Sequence, residues 1–148
     1  MIVMLPDLSK SQSIDFAGRP AHMSAIDWVL WQRFRRQRIL TFDRIYYDVL
    51  VGRGAVPVGD VDPKVVAAWA RLTRLRVDVL GESIDHWTII ELRGAAGPGA
   101  VGSLLTYAEL WKEDSPDGRD LQLWLITDSF PENLLSVLKR FSITLFVV

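Results

Sequence analysis

The feature that most constrains the fold is the alternation of β-rich and helical segments along the chain. Runs rich in β-branched and aromatic residues cover 42–54, 74–81, 86–93, 121–128 and 142–148. The segments between them repeat apolar residues every three or four positions, as amphipathic helices do. Strands interleaved with helices bury their apolar faces best in one sheet that is covered on both sides. We therefore predict an α/β fold, a single mixed β-sheet flanked by helices.

Four helices are predicted from their start signals and apolar spacing. Ser24 and Asp27 form a capping-box-like start for the first helix. Asp62-Pro63 gives the second helix an N-cap with proline at the first helical position. The third helix covers 98–112 and the fourth covers 131–141. The predicted order is therefore α-β-α-β-β-α-β-α-β.

Two further segments are interpreted from their patterns. Residues 1–20 are predicted as an irregular N-terminal arm and residues 21–148 as the α/β domain. The arm is a candidate surface for a protein partner or a second copy of the chain, and packing on its own domain is the alternative. In the second helix, Val66, Trp69 and Ala70 form an apolar stripe.

Composition limits the classes of function. The chain has 148 residues, 49% of them hydrophobic and 24% charged, and its formal net charge is −1. It has no overall basic field for nucleic acid, so an anion-binding surface would have to be local. The lack of cysteine excludes disulfides and thiolate metal ligands and fits a reducing compartment. The start of the chain does not resemble a signal peptide, and no apolar run predicts a membrane span.

A glycine motif lies between the third strand and the third helix. The letters GPGAVG at 97–102 spell G-x-G-x-x-G, which occurs in dinucleotide-binding folds, and Asp128 would take the place of the ribose-binding acid. Three residues separate the motif from the strand end, and Pro98 removes an amide that would donate to phosphate. The alternative is that Gly97 and Pro98 start the helix, and that Gly99 and Gly102 let it lie close to the sheet.

Two acids and one arginine lie near the ends of neighbouring strands. Glu91 and Arg93 are two residues apart, so the period of a strand places both on one face of the sheet. Asp78 lies between two valines in the preceding strand, where a buried carboxylate is costly unless it is paired or binds a cation. Two such carboxylates are suitable ligands for one Mg²⁺. A positively charged side chain beside them would then face the phosphate that is cleaved.

The pattern D-x12-E-x-R of Asp78, Glu91 and Arg93, followed by the helix AVGSLLTYAELW, resembles the PD-(D/E)XK nuclease superfamily. The likeness is to its small restriction-like and phage-encoded members, and it extends over about residues 24–148. It implies a restriction-endonuclease-like α-β-β-β-α-β core. It also implies that Asp78 and Glu91 are metal ligands and that Arg93 occupies the place of the motif lysine.

The same resemblance assigns three more positions. Ser103 and Tyr107 stand where the family often carries glutamine and tyrosine four residues apart on the following helix. Asp27 is the acid of the first helix and corresponds to a first-helix acid often seen there. Ser103 departs from the pattern because it lacks the long polar arm of glutamine.

Arginine in the lysine position leaves a second interpretation open. Lysine can share a proton while it orients water, whereas arginine stays charged and its planar fork favours carboxylates. Arg93 could therefore bridge Asp78 and Glu91 and neutralise them without any metal.

Basic residues end the first helix and form a candidate DNA-binding surface. They are Arg33, Arg35, Arg36 and Arg38, with Arg44 nearby. Contacts to DNA phosphates are one interpretation and a solvated helix end is the other. Arg71, Arg74 and Arg76 would extend the basic surface if they share its face. His22 and His86 share no ligand spacing, so we expect neither a zinc site nor a histidine base.

Two hypotheses for function follow. In the first, the chain cleaves DNA with Mg²⁺ held by Asp78 and Glu91, while Arg93 stabilises the phosphorane charge and Tyr107 orients a phosphate or water. In the second, it is a non-enzymatic structural or interaction protein, for example in a phage particle, that keeps the fold without the chemistry. The expected location is accordingly the cytoplasm or a virus particle.

Overall fold

The computed structural model describes residues 5–9, 11–12, 16–38 and 40–148. The strands are β1 (Ser11–Gln12), β2 (Arg44–Val51), β3 (Leu75–Glu82), β4 (His86–Leu92), β5 (Asp120–Thr127) and β6 (Ile143–Val147). The helices are α1 (Ala25–Gln37), α2 (Pro63–Thr73), α3 (Pro98–Asp114) and α4 (Leu134–Arg140). The predicted α/β class with a single mixed sheet is confirmed, and β2 to β6 follow the predicted order.

The sheet of the described residues has six strands in sequence order, β1-β2-β3-β4-β5-β6. Strands β1 to β4 pair antiparallel, whereas β4, β5 and β6 pair parallel. The change occurs at β4 because α3 crosses from its end back to the start of β5. Strand β4 is therefore central, and the carboxyl ends of β4 and β5 lie at the same edge of the sheet.

Helices cover both faces of the sheet. On one face, α3 and α4 pack through residues such as Leu104, Trp111 and Leu138. On the other face, α1 packs through Leu30, Trp31 and Phe34. These side chains are at most 3% exposed, so both faces of β4 are covered. A polar residue on β4 is thus removed from water and needs a partner or a function.

Two segments differ from the sequence prediction. In the arm, Ser11 and Gln12 pair with Tyr46 and Ile45 as an edge strand, so this part is not irregular. Two residues are too few for a detectable period, and the strand forms because β2 offers an unpaired edge. In α2 the predicted stripe is only partly covered, because Val66 and Ala70 are half-buried whereas Trp69 is 48% exposed. No helix within the described ranges is long and apolar enough to cross a membrane.

Candidate active site

The register of the β3–β4 hairpin brings the two predicted acids together. Val79 pairs with Ile90, so the next step towards the open end of the hairpin places Asp78 beside Glu91. The Leu92 amide donates to Asp78 Oδ2 at 3.0 Å. The next amide along the chain, that of Arg93, points to the other side and donates to the Ile126 carbonyl of β5. On the side of β3, the carboxylate of Asp78 thus accepts the hydrogen bond that a backbone carbonyl would accept in a regular strand pair. The backbone of β4 thereby fixes the direction of Asp78.

Glu91 is the most deeply buried acid of the site. It is 3% exposed, and it points to the same face of β4 as Ile89, towards α3. Its Oε1 accepts a hydrogen bond of 2.6 Å from Arg93 Nη2. Its Oε2 is buried and has no hydrogen-bond partner among the described residues. Buried carboxylate oxygens normally have partners, so this one indicates a proton or a cation that completes the site.

The environment disfavours two simultaneous negative charges. Burial raises the pKa of Asp78 to about 8, and the neighbouring charge of Glu91 adds to the effect. Burial also raises the pKa of Glu91, although the hydrogen bond from Arg93 opposes the change. The two carboxyl groups are near enough for a hydrogen bond between them when one is protonated. The pair therefore either retains a proton or binds a cation.

Arg93 is paired with one acid rather than with both. Its side chain is 44% exposed, and one nitrogen contacts one oxygen of Glu91. The charges of Asp78 and Asp27 also raise the pKa of Arg93, but no ion pair within 4 Å joins it to either of them in the described part of the chain. The guanidinium of Arg93 thus does not bridge Asp78 and Glu91. The exposed part of the guanidinium remains available to a ligand.

Helix α3 brings Tyr107 to the acid pair. Burial raises the pKa of Tyr107 to about 12, and the charges of Glu91 and Asp78 contribute. Ser103, one turn earlier on the same helix face, opposes the change in pKa. The phenol therefore stays protonated at neutral pH and can donate a hydrogen bond. Tyr107 is therefore near enough to the acid pair for its pKa to respond to the charges there.

The start of α1 adds a third acid at greater distance. The Asp27 amide donates to Ser24 Oγ at 3.1 Å, which confirms the predicted cap. The charge of Asp27 raises the pKa of both Asp78 and Glu91. Glycine at 94 permits the approach of α1, because a β-carbon there would lie 3.2 Å from Ile26 Cγ2. The sequence gives no signal for this role of Gly94, because it depends on a helix distant in sequence.

The glycine loop is tied to the end of β5. The Ala95 amide donates to Asp128 Oδ1 at 2.8 Å, and the Ala96 amide donates to the Ser129 carbonyl at 2.8 Å. The Ala95 contact lowers the pKa of Asp128. Asp128 thus holds the loop in place, because its carboxylate accepts the hydrogen bond from the loop backbone. This arrangement explains the loop without a nucleotide.

The expected close packing of Gly99 and Gly102 on the sheet is not found. A β-carbon at Gly102 would have nothing within 4 Å, and one at Gly99 would meet only Arg93 Nη1 at 4.0 Å. The apolar face of α3 contacts the sheet through other residues, so these glycines lie on its outer side. Gly99 instead leaves room beside the guanidinium of Arg93.

The predicted basic cluster divides into residues with different surroundings. Arg35 Nη1 donates to the Phe16 carbonyl at 2.7 Å and attaches the arm to α1. Arg38 lies 4.8 Å over the ring of Phe146. Arg33 is exposed and lies near Asp128, whose pKa it lowers. Of these three, Arg33 lies at the carboxyl end of β5, beside the loop that adjoins the acid pair.

The remaining predicted cations lie elsewhere. Arg36 is exposed on α1, and Arg44 Nη1 lies 3.5 Å from Ser11 Oγ on β1. Arg74 donates to the carbonyl oxygens of Gly52 and Leu5 at 2.7 and 3.0 Å. Such contacts stabilise loops and were not predictable, because the length of arginine lets it reach carbonyls far away in sequence.

Histidine chemistry is not assembled near the acids. His86 Nδ1 lies 2.6 Å from Asp85 at the hairpin turn, and the His22 amide donates to Asp48. Across residues 5–9, 11–12, 16–38 and 40–148, no group of three or more histidine or acidic side chains forms a metal cluster. Any cation at Asp78 and Glu91 would therefore take its other ligands from backbone oxygen, water or substrate.

Comparison with models of known families, with curated proteins and with solved structures gives no match for this chain. The arguments for function therefore depend on the geometry of the site.

Proposed function

We propose that the chain is a PD-(D/E)XK-type nuclease that hydrolyses DNA phosphodiester bonds with a divalent cation. The observation that carries the proposal is the pair of buried carboxyl groups of Asp78 and Glu91, which lie within hydrogen-bond reach of each other while the only ion pair at the site is the one between Arg93 and Glu91 in the described residues. The cost of desolvating two acids is often not offset by one arginine, so stability is a poor explanation for the pair. Such a pair is explained by a bound cation that the site requires for its chemistry.

The oxygen donors fit Mg²⁺ rather than a softer metal. Asp78 and Glu91 would supply two carboxylates, and Mg²⁺ commonly binds one or two protein carboxylates and retains several waters. Once bound, Mg²⁺ lowers the pKa of a coordinated water and stabilises charge on a phosphoryl oxygen. The raised pKa of Asp78 implies that cation binding displaces a proton, so affinity should increase with pH.

Each neighbouring side chain has a role that follows from its chemistry. Arg93 stays charged and has its exposed nitrogens on the solvent side of Glu91, where they would stabilise the negative charge of the phosphorane. Tyr107 would donate a hydrogen bond to a phosphate oxygen or to water, because its raised pKa keeps the proton on the phenol. Arg33 would contact a phosphate farther along the DNA.

Supercoiled plasmid in Mg²⁺ or Mn²⁺ tests the activity directly. We expect nicking by the natural sequence and a loss of at least about 1,000-fold in Glu91→Gln, which removes a charge needed for the cation but keeps the side-chain shape. Glu109→Gln is the matched control, since Glu109 is an exposed acid of α3 paired with Lys112. Intact plasmid at enzyme excess, with both metals and across pH 6 to 9, would contradict the enzyme proposal.

A non-enzymatic binding or assembly protein is the second candidate. It is favoured by the 2.6 Å contact between Arg93 and Glu91, because an arginine fixed to the site acid cannot share a proton as lysine does. The variant Arg93→Lys separates the two proposals. An active enzyme should remain active or gain rate, whereas a site that only maintains the fold should show no cleavage with either residue.

A further inference from the structure

Helix α2 exposes its larger apolar side to solvent. None of its residues is buried, although the helix is amphipathic. Val66, Ala70 and Thr73 face the body of the domain and are half-buried. On the other side, Val65, Trp69 and Leu72 are 53%, 48% and 80% exposed. These residues, with the exposed Ala68, recur at the spacing of one helix face and are called here the α2 stripe.

The C-terminal end of the helix is nevertheless anchored to the domain. Thr73 Oγ1 accepts from the Ala55 amide at 2.6 Å, and Asp62 caps the first turn by accepting from the Lys64 amide at 2.8 Å. The Ala70 carbonyl lies directly against Gly54, where an added β-carbon would be 2.0 Å away. Since α2 is capped at its start and held to the domain at its end, the α2 stripe is presented as an ordered surface. An ordered, contiguous apolar surface indicates a protein contact.

Charge at the two ends of the stripe indicates what covers it. Asp60 and Asp62 are exposed before the first turn and outnumber the exposed Lys64 within it, whereas Arg71 is exposed in the last turn. Two copies of α2 packed antiparallel would place the acidic end of each against the basic end of the other. The same orientation opposes the helix dipoles favourably. The surface is thus complementary to itself, as a twofold contact requires.

We propose that the chain forms a twofold homodimer in which the α2 stripes of two copies pack antiparallel, with Ala68 near the axis. The contact extends beyond the helix. The carbonyl of Leu5 accepts from Arg74 Nη2 at 3.0 Å, which brings the 61% exposed Leu5 to the basic end of α2. Leu75, directly after the helix, is 43% exposed. These residues enlarge the apolar area towards that of a stable interface.

The absence of cysteine allows a direct test by cross-linking. The chain contains no thiol, so Ala68→Cys introduces the only one. In the proposed dimer the two introduced thiols meet near the axis, and mild oxidation should give a disulfide-linked dimer at micromolar concentration. Ile84→Cys is the control, because Ile84 is 89% exposed at the β3–β4 turn, outside the stripe. Equal cross-linking of both variants would overturn the proposal.

Sedimentation equilibrium tests the energetic part of the proposal. Leu72→Glu should weaken dimerisation by about 30-fold or more, the loss expected for a central interface residue. Ile84→Glu should leave dimerisation unchanged. Asp60→Lys and Arg71→Glu should each weaken it, and the double variant should recover part of the loss because the contacts between positions 60 and 71 are then reversed, although Asp62 is unchanged. A natural chain that stays monomeric at 100 µM would overturn the dimer.

The dimer and the nuclease are independent proposals. Glu91→Gln should remain dimeric, and loss of dimerisation in Leu72→Glu should leave binding of Mg²⁺ to the acid pair intact. Each proposal can therefore fail without the other.

Discussion

The β3–β4 hairpin carries a charged cluster at each end, and the two clusters are satisfied to very different degrees. At the turn end, Arg119 contacts Glu82 at 3.0 Å and Asp117 at 2.7 Å, and it lies 4.3 Å over the ring of Trp87. The phenol of Tyr46 donates to the second oxygen of Glu82 at 2.6 Å. Both acids there have partners, and the arginine lowers the pKa of Asp117.

At the open end, the one arginine contacts only one of the two acids. Glu91 receives a single contact from Arg93, Asp78 receives one backbone amide, and the pKa of each acid is raised by burial. Asp78 and Glu82 belong to the same strand. The difference between their surroundings therefore comes from the residues that pack around each end of the hairpin. The turn end is arranged for stability, and the open end retains an unmet requirement for positive charge. That requirement is the physical reason to assign function to the open end.

The largest expected effect is on the pH dependence of stability. A carboxyl whose pKa is raised in the folded state binds its proton more tightly there, so its contribution to stability is lost as pH rises towards the folded pKa. The unfolding free energy should therefore fall between about pH 5 and pH 8, by up to about 1.4 kcal/mol per pH unit for one proton. Urea unfolding of the natural chain and of Asp78→Asn checks this.

In Asp78→Asn the decrease should largely disappear, whereas Asp43→Asn, at an exposed acid before β2, should retain it. Millimolar Mg²⁺ should restore stability to the natural chain at pH 8 and have little effect on Asp78→Asn. A pH profile that is the same for all three chains would remove the distinction between the two ends of the hairpin.

A smaller effect is expected at the turn end. Arg119→Ala leaves Glu82 and Asp117 without their cation and should lower the unfolding free energy by about 1–3 kcal/mol. Lys112→Ala, which breaks an exposed pair on α3, should change it by less than about 0.5 kcal/mol. Thermal and denaturant unfolding measure both variants. Mg²⁺ binding should be unaffected by either, and a loss of Mg²⁺ binding in Arg119→Ala would show that the two clusters are coupled.

The smallest expected effect concerns DNA binding. Arg33→Ala should weaken binding of a short duplex about threefold and reduce the slope of log K against log salt by about 1, as expected for one phosphate contact. Arg140→Ala removes a similar charge from α4, on the opposite face of the sheet, and should have no effect. Fluorescence anisotropy at several salt concentrations distinguishes them. Equal effects would indicate that binding follows overall charge instead of the site.

Local patterns predicted much of the fold and the pairing of the two acids. The period of two in β4, together with the short separation of the predicted strands 74–81 and 86–93, was sufficient to place Asp78 near Glu91. The surroundings of α2 were not predictable, because the spacing of Val65 and Trp69 shows that a helix has an apolar side but does not show what covers it. The separate roles of Arg33 and Arg35 depend on tertiary contacts with Asp128 and Phe16 and leave no signal in sequence.

The hydrogen bond from the Leu92 amide to Asp78 links the chemistry of the site to the order of a strand end. Every residue except proline has a backbone amide at position 92. The orientation of the Asp78 carboxylate therefore does not depend on which side chain is present there. Fraying at this strand end would, however, release Asp78 and separate the two oxygens that a cation needs. Occupancy of the site and protection of the Leu92 amide against hydrogen exchange should therefore rise and fall together.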